Sequence, residues 1–246
     1  MRLVNRSTIA ASWLGVLLGL MLCSLPLVAI AAEFKPPQRG LPGRREGGGT
    51  RNPFVCIQGS PSQLIALLPA TNLGLTTAAY PRFFWFMPKS KAKLAEFTLF
   101  EVGEQGEDRT PLYKTTFSID GSAGVASLSL PSDATLPPLV VGKDYRWSVG
   151  LVCSASDRSK DITVDGWVQR VAIKADLTKQ LATAKPNDRV RLYASNGIWF
   201  DTVTTLAEQR CTNPKDPALT SSWAELLKSV QLGTIADQPL LQQCQK

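Results

Sequence analysis

The chain has 246 residues, a formal net charge of +7 and no histidine. Without imidazole, the usual base of serine and cysteine hydrolases and the commonest zinc sites are excluded. Chemistry built on paired carboxylates or on a Ser–Lys pair stays open.

The N-terminus carries Arg2 and Arg6, no acidic residue before Glu33, and an apolar stretch from Trp13 to Ile30 that ends in Ala29-Ile30-Ala31. A basic start, an apolar middle and small residues at the exit predict a signal peptide over residues 1–31. The rival is an uncleaved anchor, because the stretch approaches the roughly 20 residues that span a bilayer. Pro26 and the small-residue exit favour cleavage. Cys23 follows Leu22 rather than a small residue, which argues against a lipoprotein. The expected location is periplasmic or extracellular, with membrane contact only through the signal peptide. Loss of Arg2 and Arg6 would leave a mild positive excess. That excess suits anionic glycans or headgroups and is too small to argue for nucleic acid.

Four cysteines then remain: Cys56, Cys153, Cys211 and Cys244. An even count in an oxidising compartment suggests disulfides, with three possible connectivities. Cys56–Cys153 with Cys211–Cys244 would staple each of two proposed units; buried free thiols are the alternative.

Residues 32–53 are rich in glycine, proline and arginine and predict a flexible linker. Residues 54–174 read as strands. Tyr145, Trp147, Val149, Leu151 and Cys153 alternate with Arg146, Ser148 and Gly150, one face inward. Tyr113, Phe117 and Ile119 repeat the pattern, as do Ala126, Leu128 and Leu130, with a turn at Asp120-Gly121 between them. The inward parity shifts from Ile162 and Val164 to Trp167, Val171 and Ile173, which predicts a β-bulge at Asp165-Gly166. The string from Tyr80 to Phe86 has aromatics on both faces, as a doubly covered central strand would; exposed, it would stack on sugars. The expected fold class is β-rich α+β, an antiparallel β-sandwich followed by a small C-terminal helical subdomain over 175–246.

In that subdomain, short helices are expected near 175–184 and 187–196. Trp199, Val203, Leu206 and Ala207 fall at helical spacing, as do Trp223, Leu226, Leu227 and Val230. Ser222 with Glu225 forms a capping-box pattern and Gly233 a stop. Asp176, Asp188 and Ser222 read as helix N-caps. Tyr193, Gly197, Trp199, Leu206 and Pro214 have the spacing of half a tetratricopeptide repeat, which suggests a docking surface with Tyr193, Trp199 and Trp223 as anchors. A helical hairpin packed on the sandwich is the plainer reading.

Asp157, Asp161 and Asp165 lack the ligand spacing of a calcium loop and read as a solvated hairpin tip. No carboxylate pair falls evidently in one cleft, and no metal-ligand cluster, cofactor motif or catalytic residue is assigned.

Four strings resemble blocks of an exported cyanobacterial family catalogued only as a domain of unknown function, number nine-two-eight. They are Pro42-Gly43-Arg44-Arg45-Glu46-Gly47-Gly48-Gly49-Thr50-Arg51; Leu73-Gly74-Leu75-Thr76-Thr77, continuing to Tyr80-Pro81 and Phe84-Trp85-Phe86; Gly166-Trp167-Val168-Gln169-Arg170-Val171; and Asn196-Gly197-Ile198-Trp199-Phe200-Asp201. The resemblance spans residues 40 to 235 and implies export and a single module, but no activity; Cys56 and Cys153 suit its pattern better than Cys211 and Cys244. The function expected is a non-enzymatic binding or adaptor module of the cell envelope, its partner an envelope protein or an anionic glycan. The alternatives are a carboxylate-dependent enzyme, or a carbohydrate-binding module with Trp85 or Trp167 exposed.

Overall fold

The computed structural model describes residues 34–43, 45–47, 56–59, 63–103, 106–133 and 136–241. The expected signal peptide, Cys23 and Cys244 lie outside them. Among the described residues, eight strands precede four α-helices: β1 (Ile65–Ala66), β2 (Leu73–Thr76), β3 (Arg82–Met87), β4 (Leu94–Val102), β5 (Asp108–Ser118), β6 (Gly124–Ser129), β7 (Asp144–Val152) and β8 (Ile162–Arg170), then α1 (Ala175–Thr183), α2 (Pro186–Ser195), α3 (Trp199–Thr212) and α4 (Pro217–Ser229). The strands form a three-stranded sheet, β1-β3-β6, and a five-stranded sheet, β2-β8-β7-β4-β5. All pairings are antiparallel except β2 with β8.

The two sheets pack through aromatic side chains. Phe83 of β3 lies 5.1 Å from Phe97 of β4 and 5.2 Å from Trp147 of β7, ring centre to ring centre. Trp85 stacks on Phe97 at 6.3 Å. Phe84 and Phe86, on the opposite face of β3, are equally buried. This central strand therefore has no solvent face, as its run of aromatics implied. In β7, Tyr145, Trp147, Val149 and Leu151 all point inward, so the period-two reading holds there.

Several local expectations change. Asp120-Gly121 closes no hairpin: β5 is the edge of one sheet and β6 belongs to the other, so the turn carries the chain between layers. No bulge occurs at Asp165-Gly166, because β7 and β8 keep one register from Leu151↔Ile162 to Asp144↔Gln169. Gly166 and Val168 continue the inward parity of Ile162 and Val164. Trp167 is buried on the other face, where its Nε1 donates to the Pro42 carbonyl at 2.5 Å.

That cover comes from the segment expected to be a flexible linker. Its described residues are bound to the domain: Phe34 is buried edge-on against Trp199 at 4.8 Å, Leu41 N–H donates to Thr71 O at 2.9 Å, and Arg39 grips Asp144 at 2.7 and 2.8 Å. Arg45 donates to the carbonyls of Leu68 and Val230. Few apolar groups are needed when carbonyls and cations find fixed partners.

Helices α1 and α2 lie where expected. Helix α4 begins five residues before the capping-box position: Asp216 caps it by accepting from Ala218 N–H, and Ser222 is interior. Pro217 at the first helical position supplies a preset φ and no orphan donor. After α4 the left-handed residue is Gln231, φ 64°, and Gly233 opens a 3-10 turn instead. Asp176 and Asp188 stand in the first turns of α1 and α2, behind Lys174 and Lys185 at the cap positions, where the helix dipole still favours them. Helices α3 and α4 share one continuous core with both sheets.

Candidate functional site

Parallel pairing with β8 holds β2, and Gly74 within it admits α3. A Cβ on Gly74 would lie 2.5 Å from Cε2 of Phe200, so only hydrogen fits beneath that ring. Gly197, at φ 72°, makes the turn from α2 into α3. The first turn of α3 therefore sits over the end of β2.

A hollow of about 310 Å³ opens there, bounded by the chain from Thr76 to Arg82, by Ser129 of β6, by Tyr193 of α2, and by Phe200, Asp201, Thr204, Thr205 and Glu208 of α3. Asp201 Oδ2 accepts the Thr76 hydroxyl at 2.7 Å and Thr77 N–H at 3.1 Å, while Oδ1 accepts the Thr77 hydroxyl. Burial pushes the Asp201 carboxyl up from the usual aspartate range, and the Thr77 and Thr76 donors pull it partly back. The Tyr193 phenol is raised by burial and by the nearby Asp201 charge. Arg82 Nε donates to Ser129 Oγ at 2.8 Å, and its Nη1 lies 3.7 Å from Glu208. The Thr205 hydroxyl donates to the Asp201 main-chain carbonyl at 2.7 Å.

With three donors on its two oxygens, Asp201 acts as a latch between β2 and α3. The remaining wall offers a phenol, hydroxyls, a guanidinium and a carboxylate, a mixed set of donors and acceptors suited to a polar ligand.

Of the three aromatic anchors read from sequence, only Tyr193 reaches this surface. Trp199 and Trp223 are fully buried. Trp199 Nε1 donates to Leu67 O at 2.7 Å, and Trp223 lies beneath the Arg210 guanidinium at 5.1 Å. Both indoles hold helices onto the sandwich and offer nothing to a partner. Trp85 and Trp167 are buried as well, which removes them as sugar platforms. Asp157, Asp161 and Asp165 sit among Lys160, Arg158 and Arg146, and among the described residues no group of three or more His, Cys, Asp or Glu is placed to hold a metal.

Cys56 and Cys153 are disulfide-bonded, with Cα atoms 5.4 Å apart. Cys211 is disulfide-bonded too; its expected partner, Cys244, lies outside the described residues. Among the described residues, no helix is long and apolar enough to cross a membrane.

The sequence reading missed Thr76, Thr77, Arg82, Asp201 and Glu208. It found no carboxylate pair in one cleft, yet Asp201 and Glu208, seven residues apart on α3, line the same hollow. The one available signal was the strings at 73–77 and 196–201, which meet here through Thr76, Thr77 and Asp201.

Fold and cleft together define a mixed α+β domain whose helices flank a sandwich and a polar hollow. The family model described as Domain of Unknown Function (DUF928) matches residues 46–240, and the chain belongs to that family. No curated protein and no solved structure matches it.

Proposed function

We propose that this chain is an exported, non-enzymatic binding module of the cell envelope, periplasmic or extracellular, with its ligand seated between β2 and α3. The observation that carries this reading is the saturation of Asp201. The carboxylate whose titration is displaced is engaged by Thr76 and Thr77, so it serves as a fixed wall of the cleft, beside Glu208, which lies 3.7 Å from Arg82. The Cys56–Cys153 bridge is compatible with an oxidising compartment. An envelope protein docking over Tyr193 is the other occupant this module would serve.

Calorimetric titration of the secreted protein with envelope sugars and candidate proteins tests the proposal. Saturable binding that weakens on Tyr193→Ala, without change to the substance bound, is the expected result. Turnover abolished by Asp201→Asn or Glu208→Gln would overturn it.

That outcome belongs to the second reading, a carboxylate-dependent enzyme acting on polysaccharide, which one observation favours: Asp201 and Glu208 share the cleft. Their common helix face weighs against it, since glycoside cleavage uses carboxyls on either side of the scissile bond.

A further inference from the structure

We infer that the hollow between β2 and α3 takes a single uncharged sugar ring, held through its hydroxyls. The inference rests on the reading of the cleft as a binding site and extends it to the ligand's size and charge.

The chain carries a formal charge of +7, but the hollow has no cation to spare. Arg82 faces Asp201 and Glu208 across its wall. Arg189 lies close enough to Tyr193 to act on its phenol, which makes two cations to two carboxylates. An anionic ligand would meet both carboxylates. A cationic one would compete with Arg82 for Glu208, 3.7 Å away. A charge brought into the hollow therefore lacks a partner or takes one already engaged, which costs free energy that an uncharged ligand avoids.

The polar groups left over ask for a ligand that donates and accepts at neighbouring atoms. Arg82 spends only Nε, on Ser129 Oγ. The Glu208 carboxylate, the Thr204 hydroxyl and the Tyr193 phenol line the hollow and form no hydrogen bond among the described residues. Thr204 and Glu208 stand one turn apart on one face of α3, with about 5–6 Å between such positions, so one ring spans them. Guanidinium nitrogens only donate, carboxylate oxygens only accept, and hydroxyls do both. Vicinal hydroxyls answer all of these, whereas a carboxylate ligand only accepts and an ammonium only donates.

Two further features select a ring. Tyr80 and Tyr193 are half-buried at the wall and offer aromatic surface to the C–H face of a sugar. The volume of about 310 Å³ sits at the small end of the roughly 300–1,000 Å³ found for ligand pockets, which suits one ring with its substituents.

The secreted protein is titrated by calorimetry with methyl glycosides of the neutral hexoses, and with the uronate and 2-amino forms of the same rings. The neutral form is expected to bind about tenfold more tightly than either charged form. Glu208→Gln, at a side chain 59% exposed, and Thr204→Val should melt as the parent does. Each should weaken the neutral ring by about threefold to tenfold. Lys185→Gln, in the neighbouring hollow beside α2, should leave the affinity unchanged. A uronate or an amino sugar that binds as tightly as the neutral ring, or more so, overturns the uncharged class. Neutral binding that Glu208→Gln and Thr204→Val leave intact puts the ring elsewhere and overturns the site. An envelope protein bound over Tyr193, with no sugar bound, overturns this inference and leaves the binding module standing. Hydrolysis of a methyl glycoside, or no binding of any probe, overturns both readings.

Discussion

Asp201 accepts the Thr76 hydroxyl at 2.7 Å across 125 residues of sequence, tying the first turn of α3 to the end of β2. Thr76 is fully buried, so Thr76→Val keeps the shape and removes a donor to a desolvated carboxylate. Urea unfolding at neutral pH should show a loss of about 1–3 kcal/mol.

The same carboxylate predicts a pH dependence. Burial raises its folded-state value above the ordinary 3.8, so the native state holds this proton more tightly than the unfolded chain. Its contribution is most favourable below 3.8 and falls as pH rises through the window between the unfolded and the raised folded value. Asp201→Asn should flatten that part of the stability profile relative to wild type. An identical slope in both proteins would show that the proton resides elsewhere.

Gly74→Ala is expected to cost about 1–3 kcal/mol by overpacking, because the new methyl would meet the Phe200 ring at 2.5 Å and again at 2.9 Å. Phe200→Leu in the same protein should recover part of that loss. The two changes are then non-additive, as expected for groups in direct contact; strict additivity in denaturant melts would refute the contact.

What was legible from sequence is what one segment determines alone. The alternation from Tyr145 to Leu151, the doubly buried β3 and the α1 and α2 positions depend on period and local chemistry, and each is found as read. Partners distant in sequence erased the rest. Trp167 broke the parity of β8 because Pro42, 125 residues away, covers its outer face, and no strand pattern encodes such a cover. The helix expected to start at Ser222 starts at Pro217, since Asp216 caps by position rather than by a box. Asp201 stands in the first turn of α3 as many acids do, and Thr76 at the end of β2 and Thr77 just after it give no sign in sequence of facing α3.

Trp199 separates a core role from a docking role. Trp199→Ala removes a fully buried indole, its edge contact with Phe34 and its hydrogen bond to Leu67 O. A loss of about 3–5 kcal/mol follows for such a truncation. Tyr193→Ala, at a half-buried position, should cost much less stability while weakening ligand binding. Thermal melts and titrations on both variants check the contrast; a stable Trp199→Ala protein that has merely lost a partner would contradict it.

The Cys56–Cys153 bridge closes a loop across 97 residues. It joins the strap at Ile57, paired with Ser90 and anchored by Lys91 N–H on Cys56 O at 2.7 Å, to the end of β7. Replacing both cysteines by alanine should lower stability by about 2–5 kcal/mol, largely by freeing the unfolded chain in the loop-entropy account. Because Cys211 is also bridged, full reduction of the wild type should destabilise more than the double variant. The difference between the two unfolding midpoints measures the second disulfide, and equal midpoints would mean that it adds nothing to the stability of the fold.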